Sequence, residues 1–231
     1  MIGTLTLVFE TSTPHGSLAT ITPDQSMLLR EFTSDRSHNA GLFAPLDELL
    51  AAHNTAQIGL VLVGSGPGSY SGTRVGIAAA QGVAIASNCP AVVVPSILAV
   101  PSAEHGAACI AVGDARRGSY WTASIDHSHL TRAPELTDAN GLAAIVTQAI
   151  ADGIPVVSFE SPAQWPIGPE LTSGIRQEFP NAKLLWEAWT AAPQAARDQW
   201  TQSPPQPIYL KPPHITPAKR SWLVRGSAAP P

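Results

Sequence analysis

The chain has 231 residues, of which 44% are hydrophobic and 13% charged, with a formal net charge of −4. That length suits one large domain or two small ones, and the apolar fraction suffices for a real core. No apolar run approaches the roughly 18 residues of a membrane span, so no membrane-spanning helix is expected. The opening MIGTLTLVF lacks the basic start and the length of a secretory leader, and the expectation is a cytoplasmic protein.

Three short strands come first, TLTLVFE (4–10), HGSLATI (15–21) and SMLLREF (26–32). The turns between them contain Pro14, Gly16, Pro23 and Asp24, which predicts an antiparallel meander. A helix follows over 38–53. Leu42, Leu46, Leu49 and Leu50 share one face of it, and Pro45 either sits in its first turn or kinks it. LVLVG (60–64) reads as a buried strand, 73–87 as a helix, and PAVVVP (90–95) as another strand. The order is βββαβαβ. The second half begins with ACIAVGDARRGSYWTASID (108–126), a hairpin turning near Arg117-Gly118. A helix is expected at 139–151, a strand at 154–159 and a helix around 185–200. The proline-rich end from 203 reads as extended or irregular.

The most informative stretch is GSGPGSYSGTRVGIAAAQG, residues 64–82. It lacks the Gly-Lys-hydroxyl ending of a Walker loop, since Gly72 is followed by Thr73 and Arg74. The dinucleotide spacing fails at Ser69 or Ser71. What remains is strand, glycine turn and helix N-terminus. Its free N–H groups and dipole, with Arg74 beside them, favour an anion. Against this stands a purely structural use of the glycines, to pack turn and helix closely.

Other chemistry is thin. Glu10 ends the first strand without a partner base. His105 stands alone, and His127 and His129 read as surface histidines. Cys89 and Cys109 lack metal or disulfide spacing and read as buried thiols. Asp114, Arg116 and Arg117 form either a small charged site or a partner-facing surface. Charge is uneven: seventeen acidic and nine basic residues precede residue 203, while Lys211, Lys219, Arg220 and Arg225 follow it with no acid. An acidic body repels a phosphate backbone, so direct nucleic-acid binding is not expected unless the tail or a partner supplies charge.

Several segments, in order along the chain, resemble the TsaB (YeaZ) family. They are LVFETSTPHGSLA, SHNAGLFAPLDELL, GSGPGSYSGTRVGIAAAQGVA, DARRGSYW and PIYLKPP. Glu10 stands where that family usually carries Asp. The resemblance implies an α/β, actin-like (ribonuclease-H-like) fold in two lobes, 1–105 and a smaller 106–215, with a flexible tail from 216. It implies a non-catalytic subunit that stabilises a TsaD-like enzyme in forming threonylcarbamoyladenosine beside the tRNA anticodon. A TsaE-like ATPase would join the pair, tRNA would be met only indirectly, and the free chain could homodimerise. No cofactor or metal is expected: Ser96 and Val100 fall where the catalytic paralogue has its metal-binding histidine pair, and the chain has no Gly-Gly pair. The competing reading is an active hydrolase or ATP-dependent transferase of the same fold. Candidate anion or interface-nucleotide contacts are Glu10, Gly66, Pro67, Gly68, Gly72 and Arg74. The expected partner surface is Leu42, Leu46, Leu49 and Leu50 with Gly76, Ala79, Ala80 and Val83. Small residues at helical spacing let a second helix approach closely.

Overall fold

Continuous apolar runs such as LVLVG suit a sheet buried on both faces, and that is how the chain folds. The computed structural model describes residues 4–33, 38–53, 56–161 and 165–211. The first sheet has the order β3-β2-β1-β4-β5, from β1 (Leu5–Glu10), β2 (His15–Ile21), β3 (Met27–Thr33), β4 (Ile58–Gly64) and β5 (Ala91–Val94). The first three strands pair antiparallel, and β4 and β5 run parallel to β1. Leu5, Leu7, Phe9, Val61 and Val63 point to one face, under helices α1 (His38–Ala51) and α2 (Tyr70–Ser87). Val8, Leu62, Val92 and Val94 point to the other.

The second sheet has the order β10-β9-β6-β7-β8, from β6 (Cys109–Asp114), β7 (Tyr120–Asp126), β8 (His129–Thr137), β9 (Val156–Ser158) and β10 (Ile175–Gln177). Helix α3 (Ala139–Ala151) covers its outer face through Leu142 and Val146, and α4 (Pro169–Ser173) lies beside β10. Helices α5 (Ala182–Ala191) and α6 (Gln194–Gln202) then return to the first sheet. Leu185 and Ala188 of α5 share one core with Val8 and Ala19 of the first sheet and with Ala111 and Trp121 of the second.

Several expectations are corrected. Helix α2 begins three residues before Thr73, because the Ser69 hydroxyl caps it by accepting from the Gly72 amide at 3.1 Å. The helix expected around 185–200 is two helices, broken at Ala192-Pro193. Strand β8 has no counterpart in the sequence reading: it is an exposed edge carrying Pro134, with a register shift against β7, so it lacks a clean alternation. His127 and His129 flank the turn into it, where His127 has φ 48°. The tail from 216 lies outside the described residues.

The glycines of the 64–82 stretch form a seam. A Cβ on Gly64 would meet the Glu10 carboxylate, and one on Gly76 the Thr11 hydroxyl. At Gly68 it would lie 2.3 Å from the Ser12 carbonyl oxygen, and at Gly72 2.3 Å from that of Thr11. Spaced by four, these glycines let residues 10–12 lie directly on the turn and helix. Only Gly66, with φ 83°, needs glycine for its backbone angle. Gly72→Ala and Gly68→Val are each expected to cost about 3 kcal/mol, on the order of 10 °C in Tm. Thermal unfolding by circular dichroism checks this, and an unchanged Tm would disprove the seam.

Candidate functional site

The two sheets splay apart at the carboxyl end of β1 to leave a cleft of about 980 Å³. One wall is the β1–β2 turn with the glycine turn and the start of α2. The other is the β6–β7 hairpin, Trp121 and residues 159–161. Residues 207–211 close one side. This last segment straps the walls together. The Ile208 amide donates to the Ser65 carbonyl at 2.9 Å on the first sheet. The Lys211 ammonium donates to the carbonyls of Ala115 and Arg116, each at 3.0 Å, on the second.

Beneath the first wall lies Glu10, fully buried. Its Oε1 accepts from the Ser12 amide at 2.7 Å, while Oε2 has no hydrogen-bond partner among the described residues. The Ser12 and Thr73 hydroxyls, both buried and both lining the cleft, likewise have none. Buried polar groups nearly always find partners, so these three atoms mark the least satisfied part of the core. Burial pushes the Glu10 carboxyl above its ordinary range, and contacts from Ser12 offset only part of that.

The candidate anion contacts separate in space. Pro67, Gly68 and Arg74 line the cleft. Glu10, Gly66 and Gly72 do not; Glu10 and Gly72 belong to the glycine seam behind it. Arg74 points back along α2, donating to the Tyr70 hydroxyl at 2.6 Å with its guanidinium 4.6 Å from the Tyr70 ring centre. Tyr70 and Tyr209, not singled out in the sequence, and Lys211, noted there only as a charge of the basic end, complete the cleft. Tyr70 sits inside the glycine-rich stretch and the other two in PIYLKPP, a segment whose spacing says nothing about which wall it crosses.

The expected partner surface needs correction. Leu42, Leu46 and Leu49 of α1, and Gly76 and Ala80 of α2, face the sheet and are buried in the chain's own core. Leu50, Ala79 and Val83 are half-buried at its margin. The open faces of the two helices instead carry Phe43, Ala78, Gly82 and Ile85. A leucine stripe marks the side of a helix that meets its own sheet, and the outward side is read only once that side is fixed.

A β-meander continued by parallel strands and helices, facing a second sheet across a cleft, defines an α/β protein of the actin-like class. Residues 32–165, more than half of the chain, match the family model TsaD, tRNA N6-adenosine threonylcarbamoyltransferase. The chain is 30% identical over 99 residues to the tRNA threonylcarbamoyladenosine biosynthesis protein TsaB of Haemophilus influenzae. That match takes in 42% of this chain and 42% of the relative, less than half of either. YeaZ from Pseudomonas aeruginosa superimposes with a TM-score of 0.65 at 21% identity, covering 90% of this chain and all of that one. A second Pseudomonas aeruginosa structure, described as similar to peptidase YEAZ, gives 0.65 at 20% identity with the same coverage. The chain belongs to the TsaD family, and its likeness within that family is to the TsaB (YeaZ) members.

The Glu10 carboxyl generates a pH prediction. Its raised folded-state pKa means that its contribution is fully present below the ordinary carboxylate range. It is lost as pH rises through the folded value, where a buried charge must form. Glu10→Gln keeps an acceptor for the Ser12 amide and carries no charge. It is expected to be more stable than the wild type at pH 8, with the advantage vanishing near pH 4. Urea midpoints at the two pH values measure this; an advantage equal at both would show that folding does not raise the Glu10 pKa.

Proposed function

We propose that this chain is a non-catalytic subunit that pairs with a TsaD-like enzyme through the outer faces of α1 and α2. Together they would form threonylcarbamoyladenosine in cytoplasmic tRNA. Involvement in this modification is supported by membership of the TsaD family and by the TsaB relative.

One observation carries the partner role. Ile85 on α2 is 82% exposed and Phe43 on α1 is 55% exposed, with the small residues Ala78 and Gly82 open between the ends of α2. Large apolar side chains left in water on adjoining helices mark a protein-binding surface. Small residues beside them let a second helix pair approach closely. Ala79, Val83 and Leu50 border that surface. A second copy of the chain would use the same face in the free state, and a TsaE-like ATPase would join the assembled pair.

The non-catalytic reading is supported by what stands at the positions of the resemblance's histidine pair. Ser96 and Val100 are both fully buried, and the Ser96 hydroxyl accepts from the Gly66 amide at 3.0 Å. Neither lines the cleft. Pro67, Gly68 and Arg74 remain the candidates for touching a nucleotide shared with the partner. Turnover of ATP by the isolated chain with magnesium would favour the competing hydrolase or transferase instead. The lobe division belongs to the same proposal: 1–105, a smaller 106–215 from which α5 returns to the first sheet, and a tail from 216.

The test is co-purification with the TsaD-like subunit. A Cβ on Gly82 meets nothing within 4 Å, so Gly82→Arg leaves the chain folded. It even removes a mid-helix glycine worth about 1 kcal/mol. In the pair, that arginine would be buried without a counter-charge. Gly82→Arg is expected to keep or raise the Tm of the isolated chain and to abolish co-purification. Wild-type recovery of the partner by the folded variant would refute this interface.

A further inference from the structure

We propose that the rim of the inter-lobe cleft is a contact surface for single-stranded RNA, built from Arg116 and Arg117 on the β6–β7 hairpin, Lys211, Arg74 and the exposed rings of Tyr70 and Tyr209. The inference rests on the reading of the chain as part of a tRNA-modifying complex. It gives this subunit a direct RNA contact where the sequence implied only an indirect one.

Charge is the first support. Away from the rim, Arg30 is paired with Glu48 and Lys183 lies between Glu104 and Glu187, while Arg132, Arg176 and Arg197 make no ion pair with a described residue. At the rim, compensation is incomplete. Arg116 is matched by Asp114 at 2.9 Å, and Glu160 lines the same cleft. Arg117 makes no ion pair or hydrogen bond to a described residue. The Lys211 ammonium is held by two carbonyls, and Arg74 by a phenol, so neither of these charges is neutralised by a carboxylate in contact. The chain continues from Lys211 into residues that include Lys219, Arg220 and Arg225 and no acid. Four of the described basic residues, Arg74, Arg116, Arg117 and Lys211, thus meet at or beside this rim.

Backbone geometry is the second. Arg116, Arg117 and Gly118 have φ of 65°, 60° and 71° in succession. That left-handed region suits glycine and asparagine, and two arginines held there are strained. The bonds from Lys211 to the carbonyls of Ala115 and Arg116 hold the tip in this shape. Asn-Gly is the low-strain choice at such a turn, and residues held in this region cluster at functional sites.

The rings decide between an acidic protein surface and RNA. Tyr70 is 60% exposed and Tyr209 50% exposed, with ring centres 6.4 Å apart. The Arg74 guanidinium lies 4.6 Å from the Tyr70 centre. Exposed aromatic faces interleaved with cations are what unstacked bases stack upon, while the cations track the phosphates.

The experiment measures binding of the full-length chain to a fluorescein-labelled, unstructured 12-nucleotide RNA by anisotropy over a KCl series. Co-purification with the TsaD-like subunit is scored separately. The double substitution Arg116→Asn, Arg117→Gly relieves the strained turn. It is expected to raise Tm by a few degrees, to weaken RNA binding about tenfold, and to lower the slope of log K against log [salt] by about one. Tyr209→Ala is expected to weaken binding several-fold with the slope unchanged. Retained pairing with lost RNA affinity supports the inference. Absence of RNA binding by the wild type overturns it, as does an unaltered affinity and slope in the double variant. Loss of partner pairing in that variant with RNA affinity intact also overturns it, because the hairpin would then face the protein partner. Failure of wild-type pairing beside intact, hairpin-dependent RNA binding would sink the functional reading and leave this inference standing.

Discussion

The fold depends on the close approach of residues 10–12 to the glycine-spaced turn and helix. Thr11 donates its hydroxyl to the Gly72 carbonyl at 2.9 Å, and the Ser69 amide donates to the Ser12 carbonyl at 2.6 Å. These bonds form only because nothing but hydrogen stands on Gly64, Gly68, Gly72 and Gly76 at the contact. The seam fixes α2 on the first sheet. It buries Glu10 and sets the opening of the cleft. Because α2 is fixed by its inner side, its outer side presents Ile85 to solvent.

A glycine-rich turn before a helix is ambiguous in a sequence because anion binding and close packing demand the same residue. Here the ambiguity resolves by distance. Gly72 meets a backbone carbonyl in its own core, whereas Gly68 both packs on Ser12 and borders the cleft. The N-terminus of α2 is half consumed by its own cap, since Ser69 takes up the Gly72 amide. What chemistry remains open belongs to the side chains around the cleft mouth rather than to the glycines that first drew notice.

Much of the architecture was legible. The short run LTLVFE, bounded by turn residues, and the apolar run LVLVG both read as strands, and both are strands. The hairpin turning at Arg117-Gly118 was readable from its flanking strands. Strand β8 was not, because an edge in water carries no period to read. The break at Ala192-Pro193 hid inside a run of good helix formers. The site was less legible than the fold. Leu42, Leu46 and Leu49 read as a surface because periodicity locates a stripe without saying which body it touches. Lys211 reaches a hairpin nearly a hundred residues away in the chain, and no local pattern encodes that meeting.

The return of α5 has a consequence for how the protein is made. The inner face of the first sheet is finished by Leu185 and Ala188, and the Ala182 amide is tied to the Ser17 hydroxyl at 2.8 Å. On a ribosome adding about 5–20 residues each second, the strands up to β5 emerge roughly 5–20 s before that helix. Through that interval Val8, Leu62 and Val92 lack their final cover. The nascent first sheet has one side sealed and the other open, and the stretch between β5 and α5 sets how long a chaperone has to shield it.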